Sequence, residues 1–182
     1  MGKETIRGMT RQEIQAQCQE SSKLVYAGRG AEANAMMERL AKRYPRDTEV
    51  LFYRGFLLVR SGDAKAGIPF LKRAATALPD QPEIQMELAL AHDEAGEEAK
   101  AGRLMEKIVA RWPEVADAWI HLGNRAAMAG DHKTAAGHYE AALMAEPGHV
   151  GALLIGASGG EGQLHSLQGP GGAHPPAVDV VV

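Results

Sequence analysis

The chain has 182 residues, of which 45% are apolar, 24% charged and 5% aromatic, and this composition predicts a folded domain with a real core rather than a disordered chain. Its net charge of -3 gives it no general attraction to nucleic acid or to an anionic membrane. The single cysteine, Cys18, excludes an internal disulfide and any metal site built from paired cysteines.

Residues 1–13 form a lead-in to the periodic part of the chain. They contain no apolar run of the kind that signal peptides have, and Ile6 stands where the N-myristoylation pattern needs Ser or Thr. No apolar stretch approaches the roughly 20 residues that would span a bilayer. We therefore expect a cytoplasmic protein with no membrane partner.

A period of 34 residues organises the chain from residue 14 to residue 149. It divides this part into four units, residues 14–47, 48–81, 82–115 and 116–149. Small residues and large apolar residues also recur in register within the units. The clearest markers are the prolines Pro45, Pro79, Pro113 and Pro147 and the glycines Gly28, Gly62, Gly96 and Gly130.

Each unit is predicted to be a hairpin of two helices. A helical pattern leads to the glycine, which can end a helix in the left-handed conformation. A second helix then runs to just before the proline, which cannot continue it. Because one such hairpin cannot bury its apolar face alone, the four units must stack on one another.

The fourth unit resembles the tetratricopeptide-repeat family. The matching residues are Trp119, Leu122, Gly123, Ala135, Tyr139, Ala142 and Pro147. The second unit is nearly as close, and the resemblance extends over about residues 14–149. It implies an all-α fold, a right-handed α-solenoid of four repeats. It also implies that Trp119 and Tyr139 lie against each other and that Gly123 sits under the second helix. The family shares an architecture and not a chemistry.

The first unit departs from the family pattern in a way that suits a terminal repeat. Gln17 and Glu20 stand where the family prefers Trp and Leu, and a terminal repeat needs such a polar outer face. Thr10 and Glu13 have the spacing of a capping box that opens the first helix.

The second and third units depart at positions that belong to the core. Arg54 replaces a core leucine, and only burial of its aliphatic stem accounts for it at this stage. Gln85 and His92 replace two aromatic residues, so we expect the third unit to be the least well packed.

The repeat breaks off after residue 149. Residues 150–158 predict a partial capping helix, the start of a fifth hairpin. Residues 159–182 are rich in Gly, Pro and His and predict a flexible tail. Two alternatives are that Val178–Val182 adds as a strand to a partner, or that the native chain continues into a further domain.

We find no catalytic, metal or cofactor motif in the sequence. His132 and His138 are six residues apart and fall on different faces of one helix, while His121 and His149 have no acidic or cysteine partner at ligand spacing. No nucleophile elbow or phosphate-binding loop is present, and Cys18 has no basic neighbour in the sequence to lower its pKa. We therefore expect a chain that is not an enzyme and needs no cofactor.

Charge is distributed unevenly among the four units. The net charges are +2, +2, -4 and -2 in chain order. A basic stripe with interleaved aromatic residues is missing, so nucleic acid is not an expected partner. The polarity along the solenoid is either an ordinary feature of solvated faces or a means of steering a charged partner.

The resemblance implies that the first helix of every hairpin lines a concave groove. The groove positions carried over to this sequence are Gln15, Cys18, Ser22 and Tyr26; Glu49, Phe52, Phe56 and Arg60; Glu83, Met86, Leu90, Asp93 and Glu94; and Asp117, Ile120, Asn124 and Met128. Its phenylalanines and methionines predict a surface that binds a peptide. The alternative is that a missing fifth hairpin, or the tail itself, covers these residues. We predict an apolar floor and an acidic rim, which together favour an apolar segment with basic residues. The rim residues are Glu49, Glu83, Asp93, Glu94 and Asp117.

Members of the family that bind chaperones clamp a C-terminal carboxylate with Lys and Asn on these helices. The corresponding positions here are Cys18, Ser22, Tyr53, Glu83 and Glu87. Acidic residues at clamp positions repel a carboxylate, so this sequence excludes a chaperone carboxylate clamp.

Three functions remain open on the sequence. The first is a non-catalytic adaptor that holds a protein or peptide partner in the groove. The second is a docking or regulatory module of a larger bacterial enzyme, because similar repeats precede sulfotransferase and aspartyl/asparaginyl-hydroxylase domains. The third is a homo-oligomeric scaffold whose unfinished fifth hairpin is the contact.

Overall fold

The computed structural model describes residues 8–149, and eight α-helices make up this part of the chain. The predictions for residues 150–158 and 159–182 concern segments outside the described residues. The helices are α1 (Arg11–Tyr26), α2 (Gly30–Arg43), α3 (Thr48–Arg60), α4 (Ala64–Ala77), α5 (Pro82–Glu94), α6 (Glu98–Arg111), α7 (Ala116–Met128) and α8 (His132–Ala145). They pair into four hairpins, which stack into the expected all-α solenoid.

Glycine makes the turn within each hairpin, as the sequence predicts. The four repeated glycines have φ angles of 75° to 86°, a region that other residues rarely occupy. In the first hairpin the N–H of Gly28 donates to the carbonyl of Val25 at 2.9 Å, and the N–H of Arg29 donates to that of Leu24 at 2.8 Å. These bonds satisfy carbonyl groups that the end of the helix leaves open.

Side chains cap several of the helices. Thr10 and Glu13 form the predicted capping box: Thr10 N–H donates to Glu13 Oε2 at 2.6 Å, and Glu13 N–H donates to Thr10 Oγ1 at 3.3 Å. Asp47, Asp63 and Asp131 cap α3, α4 and α8 more simply, since each side chain accepts a hydrogen bond from the backbone N–H three residues further on. Since α1 begins at Arg11, it extends three residues beyond the predicted start of the first unit.

Glycines allow the two helices of a hairpin to approach closely. A Cβ atom on Gly67 would lie 2.7 Å from the carbonyl oxygen of Gly55, which leaves no room for any side chain there. A Cβ atom on Gly123 would overlap the ring of Tyr139, so the prediction that Gly123 sits under the second helix is confirmed.

The predicted contact between the rings of Trp119 and Tyr139 is wrong. The ring of Trp119 instead lies beside that of His138, with the centroids 5.6 Å apart. The close approach at Gly123 holds the Tyr139 ring against the backbone of α7. The preceding residue of α8, His138, therefore contacts the Trp119 ring.

Polar side chains connect successive hairpins. Arg54 reaches back to α2, where its Nη1 donates to the backbone oxygen of Asn34 at 3.3 Å and to Asn34 Oδ1 at 3.1 Å. This contact accounts for an arginine at a position that the family gives to leucine, because the charged end is hydrogen-bonded while the stem packs.

Gln85 makes a hydrogen bond like that of the aromatic residue it replaces. Trp119 Nε1 donates to the carbonyl of Pro113 in the preceding loop at 2.9 Å. At the equivalent position one repeat earlier, Gln85 Nε2 donates to the carbonyl of Ala75 at 3.2 Å and approaches that of Pro79 at 3.5 Å. The hydrogen bond to the preceding hairpin is therefore kept in the third unit without the aromatic ring.

Candidate functional site: the groove of the first helices

The first helices of the hairpins lie side by side and form one surface. Helix α1 contacts α3, and α3 contacts α5, in addition to the contacts within each hairpin. Because the repeat has a fixed length, equivalent residues of α1, α3, α5 and α7 form rows that run across this surface. The position of each row relative to the core decides whether its residues can meet a ligand.

One row, which we call the floor row, lies half-buried along the groove. Its members are Ser22, Phe56, Leu90 and Asn124. The ring of Phe56 is stacked on that of Phe52 at a centroid distance of 6.2 Å, and Tyr53 meets Phe52 edge-on at 5.4 Å. The centre of α3 therefore presents an aromatic patch of Phe52, Tyr53 and Phe56.

A second row, the core row, lies deeper than the family pattern implies at three of its four positions, while Phe52 stays half-buried. Its members are Cys18, Phe52, Met86 and Ile120. Cys18 has no exposed surface, and Met86 and Ile120 are 9% and 8% exposed. They pack in hydrophobic clusters with residues of adjacent helices. The placement of Cys18 in the groove is wrong, and Met86 and Ile120 support the groove from beneath more than they line it.

A third row, the edge row, ends the first helices and is exposed. It consists of Tyr26, Arg60, Glu94 and Met128. Tyr26 and Met128 are 84% and 83% exposed, which is unusual for large apolar side chains. The edge row therefore has the Tyr26 ring at one end and the Met128 thioether at the other. The positive charge of Arg60 and the negative charge of Glu94 lie between them.

The five acids predicted for the rim differ in their surroundings. Glu83 and Glu94 are exposed and have no ion pair within residues 8–149. Asp93 Oδ1 lies 3.8 Å from Arg125 Nη1, and Asp117 Oδ1 lies 3.0 Å from His149 Nε2. Burial raises the pKa of Glu49, and the nearby carboxylate of Asp47 raises it further.

The structure also adds Glu87, which the groove prediction omitted, to the predicted groove residues Phe56 and Arg60. Glu87 on α5 accepts a hydrogen bond from Arg60 Nη2 at 3.2 Å, and the Arg60 guanidinium lies 5.0 Å from the centroid of the Phe56 ring. The other carboxylate oxygen, Glu87 Oε2, is buried and has no hydrogen-bond partner in the described part of the chain. Burial raises the pKa of Glu87, while Arg60 opposes this effect.

A signal for Glu87 was present in the sequence. Glu87 is one repeat beyond Tyr53, and both are positions at which chaperone-binding relatives place clamp residues. The comparison with the clamp positions excluded a carboxylate ligand because Glu87 is acidic. The same comparison also indicates that residue 87 faces the ligand in this type of repeat. The pairing with Arg60 could not be predicted, since it joins residues 27 apart in adjacent repeats.

Cys18 and His149 belong to residue types that can act as nucleophiles or metal ligands. Burial, with Glu49 and Asp47 nearby, raises the pKa of the Cys18 thiol to about 12. His149 does have an acidic neighbour, Asp117, which lies 32 residues earlier and was hidden from an inspection of local spacing. Within residues 8–149 no three metal-ligating side chains come together, and no helix has the length and apolar character to cross a membrane.

The fold and the rows of the groove define a helical-repeat protein, an α-solenoid built from two-helix units. The tetratricopeptide-repeat family model matches residues 19–82 and 86–149. The chain belongs to this family, as its sequence predicts.

Solved structures of repeat proteins resemble the chain over most of its length. A MamA fragment from Desulfovibrio magneticus RS-1 is 25% identical with a TM-score of 0.66, and the alignment covers 75% of this chain and 77% of that one. YrrB, a tetratricopeptide-repeat protein with an unusual peptide-binding site, is 20% identical with a TM-score of 0.67, over 78% and 73% of the two chains. A repeat protein from Parabacteroides merdae is 18% identical with a TM-score of 0.66, over 81% and 59%. No curated protein matches the sequence.

Proposed function

We propose that the chain is a non-catalytic interaction scaffold that holds a segment of a partner protein in the groove of α1, α3, α5 and α7. The segment would be apolar and carry Lys or Arg. Such a scaffold carries out no chemical step and uses no cofactor. YrrB, whose fold this chain shares, has an unusual peptide-binding site, and this supports peptide binding by the same architecture here.

Glu87 is the observation that carries the preference for a basic segment. A buried carboxylate oxygen without a hydrogen-bond donor costs free energy, and a donor from a ligand would recover it. Arg60 donates to the Oε1 atom only, so Oε2 keeps its capacity to accept a hydrogen bond. Because Oε2 is buried, a ligand reaches it only when a covering side chain such as the more exposed Arg60 moves aside. A Lys or Arg of the partner supplies a charged donor, and charge-assisted hydrogen bonds are the stronger kind.

The apolar part of the partner would meet the aromatic patch and the floor row. Phe52 and Phe56 are half-buried, which leaves part of each ring for contact, and Leu90 continues this surface onto α5. Aromatic anchors of this kind dominate binding energies in protein interfaces. The exposed Tyr26 and Met128 would extend the contact to the two ends of the groove.

The remaining acids would act mainly on selectivity. Glu83 and Glu94 are unpaired within residues 8–149 and exposed, so their attraction for Lys or Arg is screened by water and salt. Asp93 and Asp117 have cationic or histidine neighbours and contribute less net charge. Rim charges of this type change the rate of association and the choice of partner more than the affinity.

A peptide array can test the proposal directly. Purified protein would be applied to 12-residue peptides that combine apolar residues with Lys and Arg, with Asp and Glu, or with neither. We expect binding to the apolar and basic set, with affinities then measured by fluorescence anisotropy. Glu87→Gln should weaken that binding by about tenfold, in the range of a lost charged hydrogen bond.

Glu140→Gln is the matched control, because Glu140 is exposed on α8 and makes the same change of charge outside the groove. Preferential binding of the acidic set, or equal effects of the two Gln variants, would contradict the proposal. Light scattering on the same samples would separate peptide binding from self-association, the homo-oligomeric alternative.

A further inference from the structure

A second concave surface lies between the second helices of the middle repeats. It is a cleft of about 590 Å³ between α4 and α6, with α5 beneath. Volumes of this order accommodate small ligands or a few side chains of a peptide. The lining residues are Lys65, Ile68, Pro69, Lys72, Leu88, His92, Glu97, Lys100, Arg103, Leu104 and Lys107.

The charge of this cleft is opposite to that of the groove. Five of its lining residues are Lys or Arg, and Glu97 is the only acid among them. That acid is already engaged, since Lys100 Nζ lies 3.0 Å from its Oε1 and His92 Nδ1 lies 2.5 Å from its Oε2. The other four cations make no ion pair within residues 8–149, and all four are exposed. They are Lys65, Lys72, Arg103 and Lys107.

The cations stand in two rows with apolar surface between them. Lys65 and Lys72 are two helical turns apart on α4, and Lys100 and Lys107 have the same separation on α6. Each row is therefore about 10 Å long at the rise of an α-helix. Between the rows the cleft is lined by apolar side chains, namely Ile68, Pro69, Leu88 and Leu104.

From this arrangement we propose that the cleft binds an acidic segment of a partner protein, with carboxylates on both sides of a central apolar side chain. The carboxylates meet the two rows of cations, and the apolar side chain rests on Ile68 and Leu104. Charge complementarity of this kind selects the partner and speeds its association. Among the described residues no Phe, Tyr or Trp lines the cleft, whereas single-stranded nucleic acid is held on aromatic side chains, so a polypeptide suits it better.

The test uses the full chain and a defined probe. The probe is a fluorescein-labelled nonapeptide with one central leucine and four Asp or Glu residues on each side, and its control carries Asn or Gln at those eight positions. We expect the acidic probe alone to bind, more weakly as salt rises. The double variant Lys72→Glu/Lys107→Glu should weaken this binding by about tenfold or more.

A matched control separates the cleft from the overall charge of the protein. Arg39→Glu/Lys133→Glu makes the same change of charge on α2 and α8, outside the cleft, and should leave binding of the acidic probe within about twofold. Phe56→Ala in the groove should also leave it unchanged. Circular dichroism melting of each variant verifies that it is folded.

Several results would overturn the proposal. Equal losses in the two double variants would show a general charge effect. Tighter binding of a single-stranded oligonucleotide or of phosphatidylserine vesicles than of the acidic probe would assign the cleft to another class of ligand. If the protein self-associates and only Lys72→Glu/Lys107→Glu abolishes this, the ligand of the cleft would be a second copy of the chain.

Discussion

The phenolic oxygen of Tyr139 on α8 donates a 2.9 Å hydrogen bond to Oδ1 of Asn124 on α7. The same tyrosine ring covers Gly123, the preceding residue of α7. A core contact of the last hairpin is thus connected directly to a member of the floor row. The orientation of Asn124 in the groove depends on how closely the two helices approach.

Replacement of Gly123 by leucine should destabilise the last hairpin. Any Cβ atom at this position overlaps the Tyr139 ring, and overpacking of a tight contact costs about 1–3 kcal/mol. Because stability in stacked repeats depends on nearest neighbours, hydrogen exchange should accelerate first in α7 and α8. Uniform acceleration over all four hairpins would contradict this expectation.

Gly137→Ala is the control for that experiment. Gly137 lies inside α8, and a Cβ atom there would meet nothing within 4 Å. Alanine should raise the free energy of unfolding by roughly 0.5–1 kcal/mol, because glycine is a poor helix former. A urea titration of both variants distinguishes loss of space from a general effect of replacing glycine.

Cys18 should be unreactive in the folded protein. Its thiol has no exposed surface, and burial raises its pKa to about 12, so almost no thiolate forms at pH 8. A thiol-specific reagent such as DTNB should react with it only after unfolding in urea. Rapid reaction in native buffer would show that α1 opens away from α3.

The same group predicts how stability depends on pH at the alkaline end. A folded-state pKa of about 12, above the ordinary thiol value of 9.0, means that folding favours the protonated thiol. The contribution of the Cys18 thiol to the free energy of unfolding is fully present below the unfolded pKa and is lost as pH rises toward 12. Cys18→Ala should therefore lose less stability than the native chain between pH 9 and 11, as measured by urea titration. Equal losses in the two proteins would contradict the raised pKa.

Most of the fold could be predicted from the repeat. The side-chain contacts between repeats could not. Periodic glycines and prolines set the number of helices and their turns, because these residues act locally on the backbone. The pairing of Arg60 with Glu87 joins side chains of different repeats, which no local pattern shows. The cleft was hidden for a related reason: the third unit has a net charge of -4, yet Lys100, Arg103 and Lys107 gather on one face of its second helix.

Phe56 should be an anchor of the groove if a peptide binds there. It belongs to the aromatic patch and carries the Arg60 guanidinium over its ring, so its loss removes contact area and loosens the side chain that holds Glu87. Phe56→Ala should cost about 2 kcal/mol of binding to an apolar and basic peptide in an anisotropy titration. Met144→Ala, an exposed apolar residue on α8, is the control and should have no effect.

The affinity for that peptide should also depend on pH through Glu87. Burial raises the pKa of this carboxyl above its ordinary value of 4.5, so in the free protein it takes up a proton at a higher pH than an exposed glutamate does. A cation bound at Oε2 favours the ionised form and lowers the pKa, so binding must release that proton. Affinity should therefore fall as pH is lowered toward 4.5 and level off once Glu87 is fully ionised. Anisotropy titrations of the native chain and of Glu87→Gln over this range provide the measurement. The peptide does not contact Glu87 if the affinity of the native chain is independent of pH, or if the affinity of Glu87→Gln depends on pH as strongly as that of the native chain.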